Sequence, residues 1–151
     1  MDVSEESPLF TLDGSGVVIA VADTGIDMDH SCFRNTTGDV GEPGEGHRKI
    51  IHLNDSIDNW DNQGHQQFRH GTHIAGILAC DPLDGDSGMR SLSSGAKLVV
   101  QDIVDTSGWV PPEDATTLLA ESAHYGAVIN SWSWGDSTVN YTERSEMIDQ
   151  W

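Results

Sequence analysis

Basic residues are scarce in this chain: 7 Lys and Arg stand against 25 Asp and Glu, for a formal net charge of -18. Phosphate neutralisation needs clustered cations, and the few here are scattered, so nucleic acid is set aside as a partner. Cysteine is nearly absent too. Cys32 and Cys80 are too few for a disulfide scaffold, and they bridge only if the fold brings them together. No apolar run approaches the roughly 20 residues that span a bilayer, so no membrane span is expected. The opening MDVSEESPLF has neither the basic start nor the apolar stretch of a secretory signal. Low-complexity tracts, repeats and linkers are also missing, which leaves one domain. The acidity reads as a solvated, self-repelling surface. A high-salt habitat, or calcium-binding loops such as DPLDGDS at residues 81–87, would give the same count.

What is present alternates between strand and helix. VVIAVA, residues 17–22, is a continuous apolar run stopped by DTG, as expected of a strand buried on both faces. KIIHL, residues 49–53, is a weaker strand candidate, and polar residues 54–69 read as loop. HGTHIAGILAC, residues 70–80, mixes small residues with Ile and Leu and predicts a buried central helix. AKLVVQDIV at 96–104 predicts a strand, PPEDATTLLAESAHYG at 111–126 a helix, and AVINSWSWG at 127–135 another strand. Prolines and acids at that helix's start and Gly126 after its end agree with dipole and capping preferences. A strand-helix-strand crossover over residues 97–131 implies neighbouring parallel strands. TERSEMIDQW, residues 142–151, opens a last helix. The fold class is α/β.

Asp23 directly follows the first strand, and sites in open parallel sheets form beyond the carboxyl ends of strands. The triplet DTG by itself also suits a local turn, or the aspartic protease motif. That second motif belongs to an all-β fold with a partner acid, and the alternating strand and helix pattern here is the wrong class for it. In FRHGTHIAG, His70 and His73 are spaced to clasp zinc on one helix face, with His30, His47, His52 and His65 as further candidates. Such a site normally adds a placed Cys or acid, and none sits beside this pair.

Taken together, VVIAVADTGID and HGTHIAGILA resemble the subtilisin-like serine proteases, the subtilases. The resemblance implies a doubly wound, mostly parallel sheet with helices on both faces, incomplete in this chain. It also implies serine-type endopeptidase activity on polypeptide substrates, with Asp23 as the acid and His70 as the general base. His73 is left as a helix residue with a structural role. A serine hydroxyl is a poor nucleophile until an imidazole takes its proton, and a buried carboxylate must orient that imidazole and stabilise its charged form. Residues 93–108 resemble a substrate-flanking segment, which carries onto Asp105 and Gly108. Residues 126–135 are similar to the strand on the other side of the cleft, which carries onto Ser133, Trp134 and Gly135. The Trp in SWG, with LVVQDIVD before it, resembles the oxidatively stable alkaline branch. Trp134 also reads simply as a core aromatic. Calcium and secretion follow from the resemblance alone.

Departures from the pattern carry their own expectations. Arg69 stands where subtilases commonly have Gly, so a cation adjoins the base, either paired with an acid or pointing to solvent. Lys97 follows Ala96 where Pro is familiar. No serine lies in a nucleophile context such as Gly-Thr-Ser-Met-Ala. The expected organisation is therefore an amino-terminal segment, 1–13, and a partial catalytic domain, 14–151, inactive alone and completed by the missing carboxy-terminal part. A non-catalytic peptide-binding or complementing half-domain is the rival reading.

Overall fold

The computed structural model describes residues 12–57, 61, 69–85 and 87–151. Expectations that fall on other positions, including the segment 1–11, His65 and most of the 54–69 loop, lie outside the described residues. Four strands form one parallel sheet in the order β2-β3-β1-β6, where β1 is Val18–Asp23, β2 is Ile50–Asn54, β3 is Lys97–Asp102 and β6 is Ile129–Trp132. β1 lies between β3 and β6, with Val18 opposite Lys97, Asp23 opposite Asp102, and Ile19 opposite Ile129. Burial on both faces is why VVIAVA is apolar without alternation.

Helix α1, His70–Ala79, connects β2 to β3, and α2, Thr116–His124, connects β3 to β6. The two faces of the sheet hold separate cores. Ile19, Val21, Leu98 and Val100 pack with Ala75 and Ala79 of α1, whereas Ala22 and Ile103 pack with Leu118 of α2. Strand direction alternates side chains between these faces, so the sheet is doubly wound, as the sequence implied. Among the described residues no helix is long and apolar enough to cross a membrane.

Three elements differ from the sequence expectation. Helix α1 buries only the stripe Gly71, Ala75 and Ala79, and Ile77 is 61% exposed, so it lies on the sheet rather than inside the core. The small residues face the sheet because they let the helix backbone approach it closely. The expected strand 96–104 stops at Asp102, and Val104–Asp105 (β4) then pairs antiparallel with Gly108–Trp109 (β5) as a hairpin. Helix α2 begins five residues beyond the expected start, because Asp114 accepts from Thr116 N–H (2.9 Å) and ties off the proline-led approach. The last helix, α3, is Glu143–Gln150 with a capping box between Thr142 and Ser145.

Cys32 and Cys80 form a disulfide, with Cα atoms 4.6 Å apart. The bridge joins the C-cap of α1 to the turns that follow β1.

Candidate active site

Strand β1 delivers Asp23 to the carboxyl edge of the sheet, fully buried. Gly25, at φ 84°, turns the chain away at once, in a conformation that L side chains rarely adopt. Helix α1 then approaches this turn so closely that a Cβ on Gly71 would collide with the Gly25 carbonyl and press on Thr24. Glycine in the second position of the HGTH motif is thus a packing requirement. It seats His70, the first residue of α1, over Asp23.

The imidazole Nδ1 of His70 donates to the Asp23 carboxylate, at 2.8 Å to Oδ1 and 3.0 Å to Oδ2. The same carboxylate accepts from Thr24 N–H at 2.8 Å. Burial pushes the Asp23 carboxyl above its ordinary value, and the bonds from His70 and Thr24 oppose that rise. The His70 side chain is 44% exposed, and among the described residues nothing bonds its Nε2. One nitrogen is therefore held by a buried acid, and the other faces outward, free to take a proton from an approaching group. Trp109 of β5 presents its ring edge-on to this imidazole, with centroids 6.2 Å apart.

His73 diverges from its neighbour. It is exposed and lines a cavity of about 540 Å³ on the outer side of α1 with Cys32, Phe33 and Ile77, and neither Asp23 nor His70 belongs to that cavity. The other described histidines are engaged locally. His47 Nδ1 accepts from Lys49 and Ile50 N–H, His30 Nδ1 accepts from Cys32 N–H, and His52 pairs with Glu121 and stacks on Tyr125. Among the described residues no three His, Cys, Asp or Glu side chains are grouped to hold a metal.

Both segments expected to flank a substrate lie beside the end of β1. Ile103 N–H donates to the Asp23 carbonyl (2.8 Å), placing the β4-β5 hairpin on one side. Asp105 and Gly108 face each other across that hairpin, and the Asp105 carboxylate accepts from Ser107 N–H and hydroxyl, both at 2.6 Å. On the other side, Trp134 Nε1 donates to the Ala22 carbonyl (2.9 Å), and its ring stacks on Trp132 beneath the Arg144 guanidinium. Trp134 is thus anchored against the end of β1, while Ser133 and Gly135 are exposed. Arg69 is exposed and makes no ion pair with a described residue.

Asp61, Thr24, Thr72 and Trp109 were not among the residues singled out from sequence. The two threonines sit inside the quoted motifs, and Trp109 directly follows Gly108. Asp61 carries no local signal, being one acid among many in a polar stretch.

The subtilase family profile (Peptidase_S8) matches residues 14–151. The chain belongs to the subtilase family. This subtilase chain is 28% identical over 151 residues to the serine protease/ABC transporter B family protein tagD of Dictyostelium discoideum, covering 91% of the chain and 8% of that protein. It is 33% identical over 123 residues to a calcium-dependent protease of Trichormus variabilis, covering 82% of the chain and 16% of that protein. The chain therefore spans a small part of these relatives. Its fold matches the CspB protease of Clostridium perfringens with a TM-score of 0.62 at 16% identity, over 93% of this chain and 34% of that one.

Proposed function

We propose that this subtilase chain is the acid-base portion of a serine endopeptidase catalytic domain, with Asp23 and His70 in those two roles. The observation that carries the reading is the pairing of a fully buried carboxylate with Nδ1 of a half-exposed imidazole at the carboxyl edge of a parallel sheet. In the reaction, His70 Nε2 takes the proton of an attacking serine hydroxyl and returns it to the leaving amine. Asp23 holds the tautomer and stabilises the imidazolium. The serine comes from polypeptide outside these 151 residues. The substrate is a polypeptide chain, flanked by the segments of Asp105 and Gly108 and of Ser133, Trp134 and Gly135.

β6 is an edge in the described sheet, and its first residue, Ile129, and the preceding Val128 are 50% and 76% exposed. Parallel strands are normally covered on both sides, which supports a further strand here, supplied with the serine. The same edge also suits the rival reading, a complementing half-domain without catalysis. A serine-directed fluorophosphonate probe tests the activity: the isolated chain stays unlabelled, and stoichiometric labelling of it would overturn the assignment.

The SWG motif with Trp134, preceded by LVVQDIVD, supports placement in the oxidatively stable alkaline branch. The domain limits are residues 14–151, preceded by a segment of residues 1–13. Calcium has support in the name of the Trichormus relative, and one acid of the loop expected to hold it, Asp81, is already paired with cations. Asp81 accepts from Arg90 at 2.7 and 3.0 Å and from Arg48 at 3.2 Å, so two guanidinium groups already neutralise it.

A further inference from the structure

Helix α1 begins without a cap of its own: Arg69, at its N-cap, offers no side-chain bond. The first-turn N–H groups of a helix nevertheless need acceptors. Here the acceptors come from other parts of the chain. Gly71 N–H donates to Thr24 Oγ1 (2.8 Å), and Thr72 N–H donates to Asp61 Oδ2 (3.1 Å).

A hydroxyl has a single proton, and this fixes the direction of the remaining bonds. Because Thr24 Oγ1 accepts from Gly71 N–H, its proton goes to Asp61, at 3.1 and 3.2 Å to the two oxygens. Likewise, Thr72 Oγ1 accepts from Asp27 N–H (2.8 Å) and donates to Asp61 Oδ2 (2.8 Å). Asp61 is 1% exposed, so solvent does not replace a lost partner. One buried carboxylate therefore receives the threonine hydroxyls of both motifs and a first-turn amide of the helix that His70 begins.

We propose that Asp61 is a positioning residue for the Asp23–His70 pair, setting the end of β1 against the first turn of α1 through Thr24 and Thr72. It touches neither substrate nor reacting atoms. Thr24 N–H bonds Asp23 directly, and Gly71 adjoins His70, so a shift at either threonine displaces the acid against the imidazole. This deepens the reading of Asp23 and His70 as acid and base, and rests on it.

The test reads the position of the imidazole proton, which needs no catalysis. In the purified chain with ¹⁵N-labelled histidine, near pH 9, where an ordinary imidazole is neutral, the His70 nitrogen shifts give the tautomer populations. The expected result is a dominant Nδ1–H form in the wild type and in Thr24→Ser, which keeps the hydroxyl. Asp61→Asn turns an amide donor toward the hydroxyl protons, and Thr24→Val removes one hydroxyl. Each should lower the Nδ1–H population at least about twofold, and the double variant should do no more than either alone, as expected of one unit. Amide spectra report whether each variant is folded, and Thr72→Val carries the same test if Asp61→Asn is not. A folded Asp61→Asn, Thr24→Val or Thr72→Val protein with the wild-type tautomer population would overturn the proposal. Failure of the protease reading would show separately, as probe labelling of the complete domain that His70→Ala leaves unchanged.

Discussion

His70 Nδ1 lies 2.8 Å from Asp23 Oδ1 across 47 residues of sequence. Neither residue is informative without the other. A buried aspartate after a strand can serve its own turn, and a half-exposed histidine at a helix start can serve nothing at all. Joined, they leave a single imidazole nitrogen facing outward from a fixed tautomer, which is the form a general base requires.

Asp23→Asn, in the complete catalytic domain, should lower kcat by about 10⁴ with little change in KM. The amide can present a donor to Nδ1 and so invert the tautomer without disturbing substrate contacts. Steady-state hydrolysis of a peptide substrate checks this. A loss confined to KM would place Asp23 in binding instead.

Asp61 should make folding stability depend on pH in an unusual direction. Burial lifts its carboxyl from 3.8 to about 6, with bonds from Thr72 and Thr24 opposing the rise. Between those values the folded chain holds the proton more tightly than the unfolded one. The contribution is therefore fully present below the unfolded value and is lost as pH rises through 6, by about 3 kcal/mol at about 1.4 per unit. Urea unfolding of the wild type and Asp61→Asn across pH 4 to 7 isolates the effect. The wild-type advantage should fall with rising pH; a constant or growing advantage contradicts it.

Much of this was legible in the sequence because strong local rules governed it. VVIAVA has to be a doubly covered strand, and the two motifs hold the Asp23 and His70 that the fold brings into contact. Where competing local interactions decided, the sequence was less informative. Nothing in the LVVQDIV pattern marks Asp102 as the end of β3, because Val104 remains apolar in order to pack the hairpin. Helix α1 reads as buried because Ile74, Ile77 and Leu78 accompany its small residues, although only Gly71, Ala75 and Ala79 are fully buried and Ile77 faces outward. Asp61 was invisible for a different reason. Its importance lies in two hydroxyl contacts set by tertiary structure, and no spacing rule specifies them.

Replacing Cys32 and Cys80 with serine should destabilise the chain by up to about 4 kcal/mol, the loop-closure entropy for a separation of 48 residues. Denaturant midpoints with and without reductant measure it. Reductant should lower the wild-type midpoint and leave the double variant unchanged.

Gly71→Ala should cost about 1 to 3 kcal/mol despite alanine's better helix propensity, because its methyl group meets the Gly25 carbonyl and Thr24. Thermal unfolding of the variant decides between the two effects. A gain in stability would mean that α1 can move off the β1 turn without penalty.

The most direct test of the central claim maps fluorophosphonate labelling in the catalytic domain that contains residues 1–151. The account predicts that the label is found by mass spectrometry on a serine outside these residues. It also predicts that His70→Ala slows labelling by several orders of magnitude. Label on a serine within 1–151, or an undiminished rate in His70→Ala, would contradict it.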